Sequence, residues 1–301
     1  MSQATSGPVG VIGLGLMGTA QARRLIEAGY DVVGYDIDAA ARDRLAAIGG
    51  KPVASLAEIA ETCPRAVIAV FDTQQVEDVT EGAQGLLSVP EERRKTRLVV
   101  STSTCEPDRV AALAERLAPR GLALVELPLS GTSDGVARGQ AIGLIGGADA
   151  DIAACEDLFE AICKQTYRMG AVGNGGRTKL AINHILGVNR AGLAEGLVLA
   201  ERMGLELEPF MEAARGSAAY SQVMSTKGPK MMSGDFEPHG KVAQSRKDFT
   251  LINAEGAARG QPLPLASVYL ELMQALVDAG EGELDNAAII KEIRRRGDKN
   301  A

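Results

Sequence analysis

The stretch that decides the fold is Val9-Gly-Val-Ile-Gly-Leu-Gly-Leu-Met-Gly18. An apolar run, Val9–Ile12, is followed by three glycines in the spacing G-x-G-x-x-G and then by a helical pattern. Gly13 permits a tight turn, Gly15 allows close approach of the backbone to a ligand, and Gly18 lets the helix pack on the strand. The first N–H groups of a helix have no partner within it, and they attract phosphate. The stretch therefore predicts a strand–turn–helix unit that binds the pyrophosphate of a dinucleotide through Gly13, Leu14, Gly15, Leu16, Met17 and Gly18.

An acidic residue, Asp36, directly follows the second apolar run, Val32–Tyr35. It stands 18 residues after Gly18, the last glycine of the loop. In this position a carboxylate accepts hydrogen bonds from the adenosine ribose and repels a 2′-phosphate. The alternative interpretation is a solvated turn acid beside Asp38. The sequence favours NAD as the cofactor, and NADP stays open because Arg42 and Arg44 lie close by.

Short apolar runs alternate with helical patterns over the first half of the chain, as in the βαβ units of a parallel sheet. Helix starts are marked by the capping box at Ser55–Glu58 and by Pro107. The predicted strands are Val9–Ile12, Val32–Tyr35, Ala66–Phe71, Leu98–Ser101, Leu122–Leu127 and Ile142–Ile145.

After about residue 170 helical periodicity dominates. One long helix is predicted over 175–204, and shorter ones over 209–215, 241–258, 264–279 and 285–296. The predicted fold class is α/β. A Rossmann-type domain with a parallel sheet covers residues 1–170, and an all-helical domain covers 171–301, with the long helix joining the two.

The composition of the 301 residues narrows the choice of partner and compartment. The net charge of −7, the aromatic content of 3% and the absence of Trp argue against a nucleic acid or an anionic membrane as partner. Four scattered cysteines show neither C-x-x-C pairs nor His partners at zinc spacing, so no metal site is predicted. With no secretory signal and no run of 18 apolar residues, the prediction is a cytoplasmic protein.

A serine–glycine loop follows the predicted strand Leu122–Leu127 and reads Leu127-Pro-Leu-Ser130-Gly131-Thr132. A serine hydroxyl and the backbone N–H groups after it form a compact nest for a carboxylate. The same residues read alone are only a turn. The position of the loop after a strand favours a binding site for a small carboxylate-bearing substrate, formed by Ser130, Gly131 and Thr132.

A lysine and an amide stand one turn apart near the start of the long helix, in the segment Gly173-Asn-Gly-Gly-Arg-Thr-Lys179-Leu-Ala-Ile-Asn183-His184. Lys179 and Asn183 share one helix face, so the amide can fix the ammonium beside a substrate hydroxyl. A lysine in this position would otherwise be a solvated surface group. His184 lies about 100° round the helix from Asn183 and is interpreted as a packing residue.

Together with the glycine loop, these segments resemble the 3-hydroxyacid dehydrogenase family, which includes 3-hydroxyisobutyrate dehydrogenase, tartronate semialdehyde reductase and, more distantly, 6-phosphogluconate dehydrogenase. Residues 127–132 are similar to its P-V-S-G-G loop, and residues 173–183 to its G-x-G-x-x-x-K-x-x-N-N segment. The resemblance implies an oxidoreductase that transfers a hydride between NAD and a small 3-hydroxy acid resembling 3-hydroxyisobutyrate. It also implies that Lys179 is the general acid and base, and that the chain forms a homodimer or homotetramer.

The same resemblance adds residues on the cofactor side. Lys247-Asp248-Phe249 is similar to the family's K-D-L motif, whose lysine reaches the nicotinamide side of the cleft. Thr104 follows Ser103 as in the family's S-T pair and is therefore expected beside the cofactor. Phe71 and Asp72, at the carboxyl end of a predicted strand, are expected to wall the dinucleotide cleft.

Two departures from the family pattern point to a substrate other than the family's best-known ones: Thr132 replaces a glycine, and Ile182 replaces an asparagine. The nearest alternative function is an NADP-dependent imine reductase on the same scaffold, and another is a non-catalytic NAD-binding sensor. Imine-reducing relatives usually lack the lysine and carry Asn-Arg after the second strand. Lys179 and Asp36 therefore favour the dehydrogenase.

Overall fold

The computed structural model describes residues 7–298 of the chain. The chain forms two compact units, and the division between them falls inside one helix, between Lys179 and Leu180. The predicted fold class is confirmed, since a sheet with a parallel core is followed by a helical region. The domain ranges 1–170 for the Rossmann-type domain and 171–301 for the helical domain stay a prediction.

The first unit alternates strands with helices, as the βαβ pattern predicts. Its strands are β1 Val9–Ile12, β2 Val32–Tyr35, β3 Lys51–Pro52, β4 Arg65–Ile68, β5 Leu98–Ser101, β6 Ala123–Glu126, β7 Leu129–Ser130, β8 Ile142–Gly146 and β9 Gln165–Gly170. Its helices are α1 Leu16–Glu27, α2 Ala39–Ala47, α3 Leu56–Thr62, α4 Thr73–Glu81, α5 Pro107–Leu117, α6 Ser133–Ala137, α7 Asp149–Ala153 and α8 Glu156–Ile162.

The strands form one mixed sheet in the order β3-β2-β1-β4-β5-β6-β8-β7, with β9 also paired to β8. Every neighbouring pair from β3 to β6 is parallel, whereas β8 runs antiparallel to both β6 and β7. Ile12, Ile68 and Ser101 are in register at the carboxyl ends of β1, β4 and β5. Loops after these three strands therefore meet at one edge of the sheet, where open parallel sheets bind their ligands.

The central strands are buried on both faces because their side chains alternate between two aliphatic clusters. Val9 and Val11 of β1 belong to one cluster, and Ile12 belongs to the other. Val67 and Ile68 of β4 divide in the same way. This double burial explains why the strands read as continuous apolar runs, and it makes the edge of the sheet a rigid support for the site.

The second unit is built from helices around its own aliphatic core, which includes Leu193, Leu197, Phe249, Tyr269 and Leu276. No helix over residues 7–298 is both long and apolar enough to cross a bilayer. The helices after α8 are α9 Asn174–Arg202, α10 Leu207–Gly216, α11 Gln222–Thr226, α12 Gly228–Ser233, α13 Val242–Ala258, α14 Pro264–Asp278 and α15 Ile289–Asp298.

The predicted strand Ala66–Phe71 is wrong at its end, because β4 stops at Ile68. The N–H of Phe71 donates to Gln75 Oε1, and Asp72 Oδ1 accepts from the N–H of Gln75. Local bonds between side chain and backbone thus replace the sheet ladder and start α4. Phe71 and Asp72 therefore lie after the strand, beyond its carboxyl end.

Candidate active site

The glycine loop after β1 has the shape that a dinucleotide phosphate requires. Gly13 has a φ of 88°, and a Cβ on it would lie 2.5 Å from the carbonyl oxygen of Ala69. A Cβ on Gly18 would lie 1.8 Å from the carbonyl oxygen of Gly13, so this helix start permits only glycine. At Gly15, by contrast, a Cβ would meet no described atom within 4 Å. The loop is therefore closely packed against the sheet and open at Gly15.

The start of α1 is available to an anion. Gly15 is the N-cap residue, and no side chain from residues 7–298 caps this helix. The first-turn N–H groups, beginning with Leu16 and Met17, therefore depend on a ligand or on water for a partner. Together with the open space at Gly15, this helix start fits the pyrophosphate of NAD or NADP.

Asp36 is joined to the glycine loop. Its Oδ2 accepts the N–H of Leu14 at 2.6 Å, and its Oδ1 accepts the N–H of Asp38 at 2.8 Å. Each carboxylate oxygen can accept a second hydrogen bond, so a ribose diol can still bind here. The Arg42 guanidinium donates to the backbone oxygen of Asp36 at 2.5 Å. The carboxylate is thus held in place beside the glycine loop.

Three further cofactor candidates follow the adjacent parallel strands β4 and β5 at this same edge. Phe71 is 42% exposed, as expected for a residue that lines a cleft. Asp72 is the N-cap of α4, so its carboxylate has a structural role before any ligand binds. Thr104 is half-buried, and the Ser103 hydroxyl before it donates to the backbone oxygen of Val70 at 2.7 Å. This bond ties the loop after β5 to the loop after β4.

The serine–glycine loop leaves the sheet directly from β7. Ser130 is half-buried and pairs with Ile142 of β8, so the sheet fixes its backbone. Gly131 has a φ of 150°, which side-chain-bearing residues rarely adopt. Thr132 Oγ1 accepts the N–H of Gly135 at 3.1 Å and thereby caps α6. The replacement of the family's glycine by Thr132 therefore stabilises the short helix after the loop.

Lys179 lies in the second turn of α9 and is only 8% exposed, which is the opposite of a solvated surface lysine. Asn183 follows one turn later on the same helix and is half-buried. A lysine shielded from water in this way can serve as a proton-transfer group for a bound hydroxyl.

Asn183 is held by Asp248, which the sequence marks only as the middle residue of the Lys247-Asp248-Phe249 motif. Its Nδ2 donates to Asp248 Oδ2 at 2.9 Å. Asp248 is buried and also accepts from Gln244 Nε2 at 3.2 Å, and it pairs with Lys247 Nζ at 3.1 Å. Because a carboxylate only accepts, the amide nitrogen of Asn183 must face it and the amide oxygen must face away. Asp248 thus orients Asn183 as an acceptor and is paired with Lys247.

His184 has the surroundings of a packing residue. Its ring lies 6.2 Å from the ring of Phe249, in a tilted arrangement. Its buried Nδ1 has no hydrogen-bond partner among residues 7–298. Over the same range, no group of three or more His, Cys, Asp or Glu side chains is arranged to hold a metal ion.

Both halves of the chain match known families. Residues 8–170 match the family described as the NAD-binding domain of 6-phosphogluconate dehydrogenase. Residues 173–293 match the family described as "NAD-binding of NADP-dependent 3-hydroxyisobutyrate dehydrogenase". The predicted cofactor class, NAD or NADP, is thereby confirmed.

Individual relatives are similar to this chain over nearly the whole length of both proteins. L-threonate dehydrogenase of Cupriavidus necator is 32% identical over 94% of this chain and 95% of its own. The 2-hydroxy-3-oxopropionate reductase of Escherichia coli is 28% identical over 95% of this chain and 96% of its own. The crystal structure of 3-hydroxyisobutyrate dehydrogenase from Salmonella typhimurium superposes with a TM-score of 0.85 at 28% identity, covering 95% of this chain and 99% of that one. This chain therefore belongs to the 3-hydroxyacid dehydrogenase family and is an NAD(P)-dependent oxidoreductase of hydroxy acids.

Proposed function

We propose that the chain interconverts a small 3-hydroxy acid, of the size of 3-hydroxyisobutyrate, and its carbonyl form with NAD, and that Lys179 transfers the proton. The observation that carries the proposal is the environment of Lys179. It is a buried lysine in the second turn of α9, one turn before an asparagine whose amide is oriented by Asp248.

The roles of the chain's own residues follow from this arrangement. Ser130 and the N–H groups of Gly131 and Thr132 bind the substrate carboxylate. In oxidation the neutral amine of Lys179 accepts the hydroxyl proton, and in reduction the ammonium returns it. Asn183 gives its amide nitrogen to Asp248, so its amide oxygen is available as a hydrogen-bond acceptor. When bound, the nicotinamide accepts the hydride in oxidation and supplies it in reduction.

The substrate is proposed only as a class, because the relatives are named for three different acids. The test is a screen of small 2- and 3-hydroxy acids, with 3-hydroxyisobutyrate and L-threonate among them, each with NAD and with NADP. The aldehyde 2-hydroxy-3-oxopropionate and a cyclic imine are tested in the opposite direction, each with NADH and with NADPH. Absorbance of the reduced nicotinamide reports turnover. We expect at least one 3-hydroxy acid to be oxidised with NAD. No turnover of any acid would favour a non-catalytic NAD-binding sensor, and faster turnover of a cyclic imine would favour the imine reductase.

The position of Asp36 predicts a preference for NAD. A carboxylate fixed beside the ribose repels a 2′-phosphate, and two charges about 4 Å apart near a protein surface interact by about 4 kcal/mol. We expect Asp36→Ser to lower the ratio of kcat/KM for NAD over NADP at least about 10-fold, given that interaction.

The matched control is Asp38→Ser. It removes an equal charge two residues away, while serine can still cap α2 as Asp38 does. We expect the control to leave the cofactor ratio near that of the parent. Equal use of NAD and NADP by the parent enzyme would refute this prediction.

The hydrogen bond between Asn183 and Asp248 predicts that substitutions of these two residues have non-additive effects on kcat. Asp248→Ala frees the amide of Asn183, and we expect kcat to fall about 10-fold, the scale of one lost hydrogen bond to a charged group. If Asp248 acts through the amide, adding Asp248→Ala to Asn183→Ala lowers kcat little further.

The control for Asp248 is Asp278→Ala on α14. Asp278 accepts from Gln274 Nε2 four residues earlier, at 2.7 Å, just as Asp248 accepts from Gln244, but it is exposed. We expect parent activity in the control. If the losses of kcat in Asp248→Ala and Asn183→Ala are additive in the double variant, Asp248 does not act through the amide of Asn183.

We also propose that the chain assembles as a homodimer or homotetramer. Apolar side chains of the second unit are exposed on α9 and α14, among them Ile185, Leu199, Leu265 and Val268. Such a surface commonly forms a contact with another chain. Light scattering of the purified protein tests this, and a monomer at micromolar concentration would refute it.

A further inference from the structure

A buried carboxylate lies at the start of the helix that carries Lys179. Glu126 is the last residue of β6 and is only 3% exposed. It accepts the N–H of Gly173 and, at Oε1, the N–H of Gly176 at 3.2 Å. The N–H of Gly175 also bonds to it. One side chain from the sheet therefore satisfies N–H groups that the first turn of α9 cannot satisfy by itself.

The glycines of this helix start are shaped around that carboxylate. A Cβ on Gly176 would lie 3.0 Å from Glu126 Oε1, and a Cβ on Gly175 would lie 3.3 Å from Glu126 Cβ and 2.7 Å from the carbonyl oxygen of Leu144. On the neighbouring strand β8, a Cβ on Gly146 would lie 2.6 Å from Glu126 Oε2. The glycines at 175 and 176 thus accommodate an internal carboxylate, whereas the loop at residues 13–18 is open to an external phosphate.

The carboxylate depends on these N–H groups for its charge. Burial raises the pKa of Glu126 to about 7, while the three N–H groups and the nearby Arg177 act in the opposite direction. Arg177 itself bonds to Asn174 Oδ1 at 2.8 Å and to Asp108. A negative charge at the amino end of α9 is also favoured by the helix dipole.

Glu126 connects two segments of the proposed site. Lys179 follows Gly175 by four residues and Gly176 by three, so all three lie on one side of α9 within about one turn. Four residues after Glu126 comes Ser130, and in the sheet Glu126 is paired with Ser101 and Gly146. Glu126 therefore ties the start of the helix that carries Lys179 to the strand that leads into the serine–glycine loop.

We propose that Glu126 is a positioning residue, which fixes the amino end of α9 against the sheet edge and thereby places Lys179 for proton transfer. The inference rests on the proposed role of Lys179. Misplacement of a reacting group by about 1 Å can cost about 100-fold in rate, so a cap that fixes the helix start matters for turnover more than for cofactor binding.

The first test is Glu126→Gln, which keeps the shape of the side chain but turns an NH₂ group towards backbone N–H donors. We expect kcat to fall about 10- to 100-fold, with the Kd for NADH within about threefold of the parent. Hydrogen exchange of the amides over residues 173–180 should become faster. The control is Glu115→Gln, which neutralises an exposed glutamate on α5 and should change none of these quantities.

The second test leaves the carboxylate in place. Gly176→Ala puts a methyl group against Glu126 Oε1, so the helix start must shift by a few tenths of an ångström. We expect kcat to fall about 3- to 10-fold without a change in NADH binding, as for a modest misplacement. Gly216→Ala is the control, because a Cβ at that helical glycine meets no described atom within 4 Å. If Glu126→Gln does not fold, Gly176→Ala decides alone.

A double-mutant cycle separates this inference from the proposed function. In a Lys179→Ala background, Glu126→Gln should not lower the residual kcat further, since the residue that it positions is absent. Parent-level kcat in both Glu126→Gln and Gly176→Ala, or an equal loss from Glu126→Gln with and without Lys179, would overturn the positioning role. Parent-level activity of Lys179→Ala would instead overturn the proposed function.

Discussion

Replacing Lys179 by alanine should lower kcat by about 10²- to 10⁴-fold, the range attributed to one general acid–base group. Lys179 is buried near the start of α9, and the amide one turn later is oriented by Asp248. Without the amine, the hydroxyl proton must leave to water, which raises the barrier of the step. The glycine loop is unchanged in this variant, so the Kd for NADH should stay near that of the parent.

Two further variants make the Lys179 experiment decisive. Lys179→Arg should fail to restore activity, because a guanidinium keeps its proton at neutral pH. Lys164→Ala removes an exposed lysine of the same unit and should behave like the parent. The measurement is kcat with the best acid from the substrate screen, together with a fluorescence titration with NADH. If Lys179→Ala retains activity within a few fold of the parent, the lysine is not the proton carrier, and His184 is the next residue to test.

The local sequence pattern was sufficient to predict the bounds of several strands in the first unit. Val9–Ile12, Val32–Tyr35 and Leu98–Ser101 have the same bounds in the sequence prediction and in the structure. These strands are covered on both faces, so burial alone makes them apolar and recognisable. The strand Gln165–Gly170 was missed because it is largely exposed and lacks an apolar run. The two-residue strand at Leu129–Ser130 is too short to have a period.

The residues that orient the candidate site were harder to predict than those that form it. Asp248 meets Asn183 across 65 residues of chain, and Glu126 meets Gly173 across 47. Such contacts are created by the tertiary fold and leave no periodic signal. One local sign existed: Glu126 is a charged residue at the end of an otherwise apolar strand, where a buried carboxylate requires partners. The glycines at 173, 175 and 176 supply N–H groups for it.

Replacing Ser130 by alanine should lower kcat/KM for the best hydroxy acid by about 10- to 150-fold. That range corresponds to a charge-assisted hydrogen bond of about 1.5–3 kcal/mol. The serine backbone is fixed in β7, and the N–H groups of the two residues after it are the other donors proposed for the carboxylate. Binding of a carboxylate at this point would hold the reacting carbon in place, so the loss should affect turnover as well as KM.

The substrate itself provides the matched control for Ser130. A neutral analogue that carries an alcohol in place of the carboxylate should be a poor substrate of the parent, and Ser130→Ala should leave its kcat/KM nearly unchanged. The ratio of kcat/KM for the acid to kcat/KM for the neutral analogue therefore measures carboxylate recognition separately from loop stability.

Thr132→Ala removes the cap of α6 and should lower the melting temperature, because a lost N-cap costs about 0.5–2 kcal/mol. If the parent turns over the neutral analogue as fast as the acid, the loop does not recognise a carboxylate, and an imine or a neutral carbonyl compound becomes the better candidate substrate.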